Sequence, residues 1–314
     1  MTRTRKKAYS SLTPNLAWQL AAPHTWVAAF IGVMFSAVYV TIRYSGRLNL
    51  IYFFILLVIC ILMQSAVNVL NDYFDCKKGT DSKENSSEDA FDAVLVYNNL
   101  NPKSVLLLAI AYLIVAAALG IYLVIQCGYI PLIIGLIGAL AVVLYSGGKL
   151  PISYLPIGEF VSGSVMGILI PLACTYVLSG TLDWLVVPLS LPLAIGIGMI
   201  LATNNTCDIE KDIEAKRQTL AVKLKRQKAV ITYRMMIYIW IACTIALSII
   251  FFIKGLPVMI FLLLGIFPVG RALLNNPLTQ LTRTAAMSQI VMLNVIVSAF
   301  YCLAMVFSCC IVWI

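Results

Sequence analysis

The chain has 314 residues, 61% of them hydrophobic and only 11% charged. A soluble domain is about half apolar and about one quarter charged, so this composition excludes a water-soluble globule, a disordered chain and a small disulfide framework. The net charge of +9 comes from 22 Lys and Arg against 13 Asp and Glu. The basic residues sit between apolar runs, which points to membrane topology and anionic headgroups and away from nucleic acid.

The first twenty residues begin Met-Thr-Arg-Thr-Arg-Lys-Lys and lack an apolar run directly after the basic start. They are expected to form a retained cytoplasmic tail, 1–20, and not a signal peptide. Nine apolar stretches follow, near 22–42, 50–75, 104–126, 129–146, 157–179, 184–205, 228–252, 256–274 and 287–312. Each is long enough to cross a hydrocarbon core of about 30 Å as a helix. The expected fold is all-α: nine transmembrane helices around a central cavity open to the cytoplasmic side, with 1–314 forming one transmembrane domain. With the N-terminus inside, 19 basic residues fall on the cytoplasmic side, in the tail, loops 76–103, 147–156 and 206–227 with the adjoining helix start (Lys228 and Arg234), and at Arg271 and Arg283. Outside fall Arg43, Arg47 and Lys254. That bias sets the orientation and places the C-terminus outside. Nine scattered cysteines form no CxxC pair and read as small apolar fillers.

Eleven of the 13 acids occupy two short stretches, 72–92 and 208–214, at the cytoplasmic ends of the second and sixth spans. Acids at a membrane helix end are expensive and mark function. In the first stretch Asn68, Asn71, Asp72 and Asp75 fall within about a 100° arc of one helix. Gly79 permits a helix end that lets Asp81 fold back. In the second, Asn204, Asp208 and Asp212 recur every four residues, with Asn205 beside them. Clustered carboxylates repel unless a cation lies between them, and oxygen ligands without His or Cys favour a hard ion such as Mg²⁺. Two such clusters suggest two Mg²⁺ ions bridging one diphosphate. Lys77, Lys78, Lys149, Lys216 and Arg217 supply nearby positive charge, although topology alone also explains basic residues here.

A diphosphate clamp at the polar mouth of a membrane cavity suits a lipid diphosphate, with the apolar tail among the helices. If that lipid is a polyprenyl chain, departure of the diphosphate leaves an allylic cation. Tyr73, Phe74, Tyr145 and Tyr154 are aromatic faces available to it, and each is equally an ordinary interface aromatic. The lone histidine, His24, reads as an acceptor contact or a packed interface residue. Glu159, at the start of the fifth span, reads as a functional acid or as a structural partner of Lys149.

Residues 71–81, Asn-Asp-Tyr-Phe-Asp-Cys-Lys-Lys-Gly-Thr-Asp, resemble the first aspartate motif of the UbiA superfamily of intramembrane aromatic prenyltransferases. Residues 204–212, running on to Thr219-Leu220-Ala221-Val222, resemble its second, and 144–159 are similar to its loop between helices four and five. The match is greatest with the branch that prenylates dihydroxynaphthoate in menaquinone biosynthesis. The resemblance implies Mg²⁺-dependent transfer from a polyprenyl diphosphate to dihydroxynaphthoate, giving demethylmenaquinone, in a bacterial cell membrane. Asp72, Asp75, Asp208 and Asp212 are then catalytic metal ligands. Asn68, Asn71, Lys78, Asp81, Tyr145, Lys149, Tyr154, Asn204, Asn205, Lys216, Arg217 and His24 are the substrate-binding set. Another ring such as hydroxybenzoate is an alternative acceptor, and a cation transporter or a silent lipid-diphosphate binder are alternative functions. The chain departs from the family pattern at Ala22, Cys207 and Gln218, where basic residues are usual, and across 89–99.

Overall fold

The computed structural model describes residues 9–44, 48–80 and 93–310. Asp81, the acids of 84–92, Arg47 and the first eight residues lie outside the described residues. Among the described residues every regular element is helical.

Helices α1 (Pro14–Ala21) and α2 (Trp26–Arg43) are joined through Ala22, whose φ of 47° turns the chain. Next come α3 (Leu50–Lys78), the single turn α4 (Val94–Tyr97), α5 (Pro102–Cys127) and α6 (Ile130–Ser146). Helices α7 (Gly158–Ser164) and α8 (Ile170–Ser179) continue one another through a π turn at Val165–Leu169. Pro171 explains that turn: it has no N–H for the fourth preceding carbonyl, and its ring crowds that carbonyl. The short α9 (Val186–Leu189) precedes α10 (Leu191–Cys207) and α11 (Ile209–Glu214). The chain ends with α12 (Leu220–Phe251), α13 (Pro257–Asn275) and α14 (Arg283–Cys310).

Among the described residues seven helical stretches are long and apolar enough to cross a membrane: Pro14–Arg43, Leu50–Lys78, Pro102–Cys127, Gly158–Ser179, Leu220–Phe251, Pro257–Asn275 and Gln280–Cys309. The expected fourth and sixth spans form shorter helices, α6 and α10, of 17 residues each, or about 26 Å. The seventh helix starts at Leu220 and not near 228, because Thr219 caps it, its side chain accepting the Val222 N–H. That early segment bends at Lys225 (φ 63°, ψ 159°), and the apolar part lies beyond the bend.

Two small residues set the approach of α7 to α10. A methyl group at Gly163 would lie 2.4 Å from the Ala194 carbonyl oxygen, and one at Gly167 would lie 2.3 Å from the Ala194 Cα. Spacing of four places both glycines on one face, so the backbones pack directly, as in membrane helix pairs. A second core gathers α10, α12, α13 and α14 around Trp240, whose Nε1–H donates to the Pro192 carbonyl at 2.7 Å. Asn294 donates to the Gly196 carbonyl at 3.0 Å in the same layer.

Candidate active site

The start of α2, the end of α3, the end of α6, the start of α7, the end of α10 and the start of α14 lie at one end of the bundle. A cavity of about 1230 Å³ runs down from this end between α2, α3, α5, α6, α8, α10 and α14. Its polar rim holds His24, Asn68, Asn71, Asp72, Asn204 and Arg283. Deeper walls are apolar, with Gly120, Gly135 and Gly138 leaving room along α5 and α6. This volume exceeds the usual ligand pocket of about 300–1,000 Å³, which suits a long apolar chain under a polar head.

The α3 stripe exists, and each member meets a different element. Asn68 Nδ2 donates to the Ala21 carbonyl at 3.0 Å and to Thr25 Oγ1 at 2.8 Å. Asn71 Oδ1 accepts from Ser146 Oγ at 2.8 Å. Asp72 accepts the Leu95 N–H, 3.3 Å from either carboxylate oxygen. Asp75 pairs with Arg217 at 2.7 Å. The helix then stops as the sequence predicts: Gly79 is left-handed (φ 76°), its N–H meets the Cys76 carbonyl, and the Thr80 N–H meets the Asp75 carbonyl at 2.9 Å.

The second stripe is divided. Asp208 sits at the break between α10 and α11 (φ −101°, ψ 19°), which turns Asp212 away from the face shared by Asn204 and Asp208. Arg283 holds that shared face: its Nε lies 2.9 Å from Asn204 Oδ1 and 3.0 Å from Asp208 Oδ2. Asp212 instead pairs with Arg217 at 3.6 Å and accepts from Thr219 Oγ1 at 3.2 Å. Arg217 therefore joins the two aspartate motifs across the end of the bundle.

All four aspartates are buried, at 3 to 7% exposure, so their charges need partners. Burial pushes the Asp212 carboxyl up to about 6. Arg217 and the Thr219 hydroxyl pull it back, while Asp208 adds to the rise. Burial also works against the Arg217 charge, but Asp75 and Asp212 overcome it and hold that guanidinium above its ordinary value.

Lys78 donates to the Ser146 carbonyl at 2.9 Å. Its ammonium lies 4.8 Å from the Tyr154 ring centre, and the Arg217 guanidinium lies 4.9 Å from it. Tyr154 is thus taken up by protein cations, and its hydroxyl hydrogen-bonds with Thr80 at 2.9 Å. Tyr73 and Phe74 belong to the packing around α5. Of the four aromatic candidates only Tyr145 lines the cavity. Asn205 donates to Glu159 Oε1 at 2.8 Å, so the partner of Glu159 is Asn205 and not Lys149. Lys149 and Lys216 stand exposed on their loops.

Arg283 is the residue that sequence reasoning left outside the site. Topology alone explains any Arg at a helix start. Arg283 and Arg226 also bring positive charge against Cys207, the position at which the resemblance implies a basic residue. Arg226 reaches the Thr206 carbonyl at 2.6 Å and pairs with Glu210.

Among the described residues no three His, Cys, Asp or Glu side chains form a ready metal cluster. Mg²⁺ does not need one: it takes one or two carboxylates and completes its shell with water and substrate phosphate. Buried carboxylates with oxygen donors alone fit that chemistry: Asp72 lines the cavity, Asp75 follows one turn later on α3, and Asp208 and Asp212 are tied to it through Arg283, which also lines the cavity, and Arg217.

The UbiA prenyltransferase family model matches residues 29–296. The 1,4-dihydroxy-2-naphthoate octaprenyltransferase of Bacillus subtilis is 34% identical over 216 residues, covering 69% of this chain and 68% of that protein. A Drosophila melanogaster homologue of UbiA prenyltransferase domain-containing protein 1 is 27% identical over 257 residues, 81% of this chain and 67% of that one. A UbiA homologue from Archaeoglobus fulgidus, solved with GPP and Mg²⁺, superposes with a TM-score of 0.66 at 12% identity, covering 93% of this chain and 99% of that one. The chain belongs to the UbiA prenyltransferase family, an integral membrane family of enzymes.

Proposed function

We propose that this protein transfers a polyprenyl group from polyprenyl diphosphate to dihydroxynaphthoate, giving the quinol form of demethylmenaquinone. The observation that carries the reading is the approach of Asp75 and Asp212, from motifs more than a hundred residues apart, to one guanidinium, one helical turn along α3 from Asn71 and Asp72, which line a large apolar cavity. The similarity to the Bacillus subtilis octaprenyltransferase supports the acceptor. The Archaeoglobus homologue solved with GPP and Mg²⁺ supports the metal and the donor class.

Asp75, Asp212, Asp208 and Asp72 would hold two Mg²⁺ ions against the diphosphate. The metal, when bound, neutralises the diphosphate and improves it as a leaving group. Arg217, Arg283 and Lys78 add positive charge at the same end. The cavity takes the isoprenoid tail and keeps water from the allylic carbon, with Tyr145 facing it. The C–O bond to the diphosphate breaks, the acceptor's ring carbon bonds to the allylic carbon, and the ring carboxylate leaves as carbon dioxide. We further assign nine membrane crossings in a single domain, adding α6 and α10 to the seven longer stretches, with the N-terminus cytoplasmic, the C-terminus outside and the polar rim toward the cytoplasm of a bacterial cell.

The test is a product assay on the purified full chain with Mg²⁺, geranylgeranyl diphosphate and either dihydroxynaphthoate or hydroxybenzoate. Prenylated naphthoquinol is expected, and it disappears with chelator. Product from hydroxybenzoate alone overturns the acceptor assignment.

A further inference from the structure

Arg217 is held from several directions. Its backbone N–H bonds to the Asp212 carbonyl at 2.8 Å, and the next N–H, of Gln218, bonds to the Tyr154 carbonyl at 2.8 Å. Lys216 before it takes a φ of 56°, which turns the chain back after α11. The side chain is thereby delivered into the gap between α3 and α11. One terminal nitrogen lies 2.7 Å from Asp75 Oδ1 and the other 3.6 Å from Asp212 Oδ1. The third nitrogen, Nε, is buried and its N–H meets no acceptor. A buried donor without a partner is rare and needs a reason. A fork with one tine unused is suited to an anion with several oxygens, such as a diphosphate.

A divalent cation coordinated by Asp75 and Asp212 would need the oxygens that the guanidinium now holds. The two positive groups compete for one place between the motifs. We propose that Arg217 is an internal counter-ion that holds Asp75 and Asp212 together, is displaced when a divalent cation binds them, and then turns its fork onto the diphosphate. The proposal rests on the reading of these tips as a cation–diphosphate site. It adds a consequence that the reading alone lacks: Arg217 opposes one ligand and favours the other. Cation and lipid diphosphate therefore promote each other's binding through this side chain, and by linkage the effect is reciprocal.

The test uses the full chain in nanodiscs. Mn²⁺ is titrated by electron paramagnetic resonance, alone and with geranylgeranyl thiolodiphosphate, an unreactive lipid diphosphate. Arg217→Gln is expected to bind Mn²⁺ alone about 10-fold more tightly than the unsubstituted protein and to bind the thiolodiphosphate about 10-fold more weakly. A purely structural arginine would weaken both, and that result, in a variant that unfolds at the normal temperature, overturns the proposal. Should Arg217→Gln not fold, Arg217→Lys serves. It keeps the charge but loses the fork, so Mn²⁺ alone is expected to bind about 3-fold more tightly, and unchanged or weaker binding overturns the proposal. If the unsubstituted protein binds no Mn²⁺ even with the thiolodiphosphate, the functional reading itself fails.

Discussion

The Arg283 guanidinium, at the first turn of α14, lies 3.0 Å from the Asp208 carboxylate at the end of α10. It also holds Asn204 and lines the cavity. A helix from the C-terminal part of the chain thereby fixes the second aspartate motif. Arg283→Gln is expected to lower kcat/KM for the lipid diphosphate by about 10- to 100-fold, the usual effect of removing a group that orients a ligand. Combined with Asp208→Asn it should add little, because the two act as one unit. A double variant whose losses multiply would contradict the pairing.

Part of this site was legible in the sequence because it depends on local spacing. Asn68, Asn71, Asp72 and Asp75 share a face by helical periodicity alone, and Gly79 ends the helix by its own conformational freedom. Asn204 and Asp208 are four apart and do share one arginine. Asp212, one repeat further, does not follow them, because the helix breaks at Asp208. What the sequence could not disclose were partners fixed by tertiary packing. The Asn205–Glu159 bond requires α7 to lie against α10, which depends on Gly163 and Gly167 meeting Ala194. The basic residues were ambiguous for a different reason: topology accounts for Arg217 and Arg283 equally well, so their charge carried no signal of their position.

The raised Asp212 carboxyl gives the site a pH dependence. An ordinary aspartate ionises near pH 3.9, whereas this one ionises near 6. Its protonated form is the one the fold favours, so its contribution to stability is complete below the unfolded value and is lost as pH rises through about 6. Cation binding has the opposite sign, since it needs the ionised carboxylate. Mn²⁺ affinity, measured from pH 5 to 8, should be level above about 6 and fall by about tenfold per pH unit below it. A profile level down to pH 5 would show that Asp212 does not take part.

Gly138 lines the cavity, and a methyl group built on it meets no atom within 4 Å. Gly138→Phe should therefore be accommodated while its ring fills the groove proposed for the isoprenoid tail. Geranyl diphosphate turnover is expected to persist, while longer chains lose at least ~10-fold in kcat/KM. Product mass spectrometry with donors of graded length reads this out. An unchanged length profile would mean that the tail lies elsewhere.

The central claim is that Asp75 and Asp212 act together on one cation–diphosphate head. Its most direct measurement is equilibrium binding of geranylgeranyl thiolodiphosphate to the full chain in nanodiscs, with Mg²⁺ and with chelator, for the unsubstituted protein, Asp75→Asn and Asp212→Asn. The account predicts Mg²⁺-dependent binding that each substitution weakens by at least ~10-fold. Equal binding in chelator, unaffected by both substitutions, would contradict it.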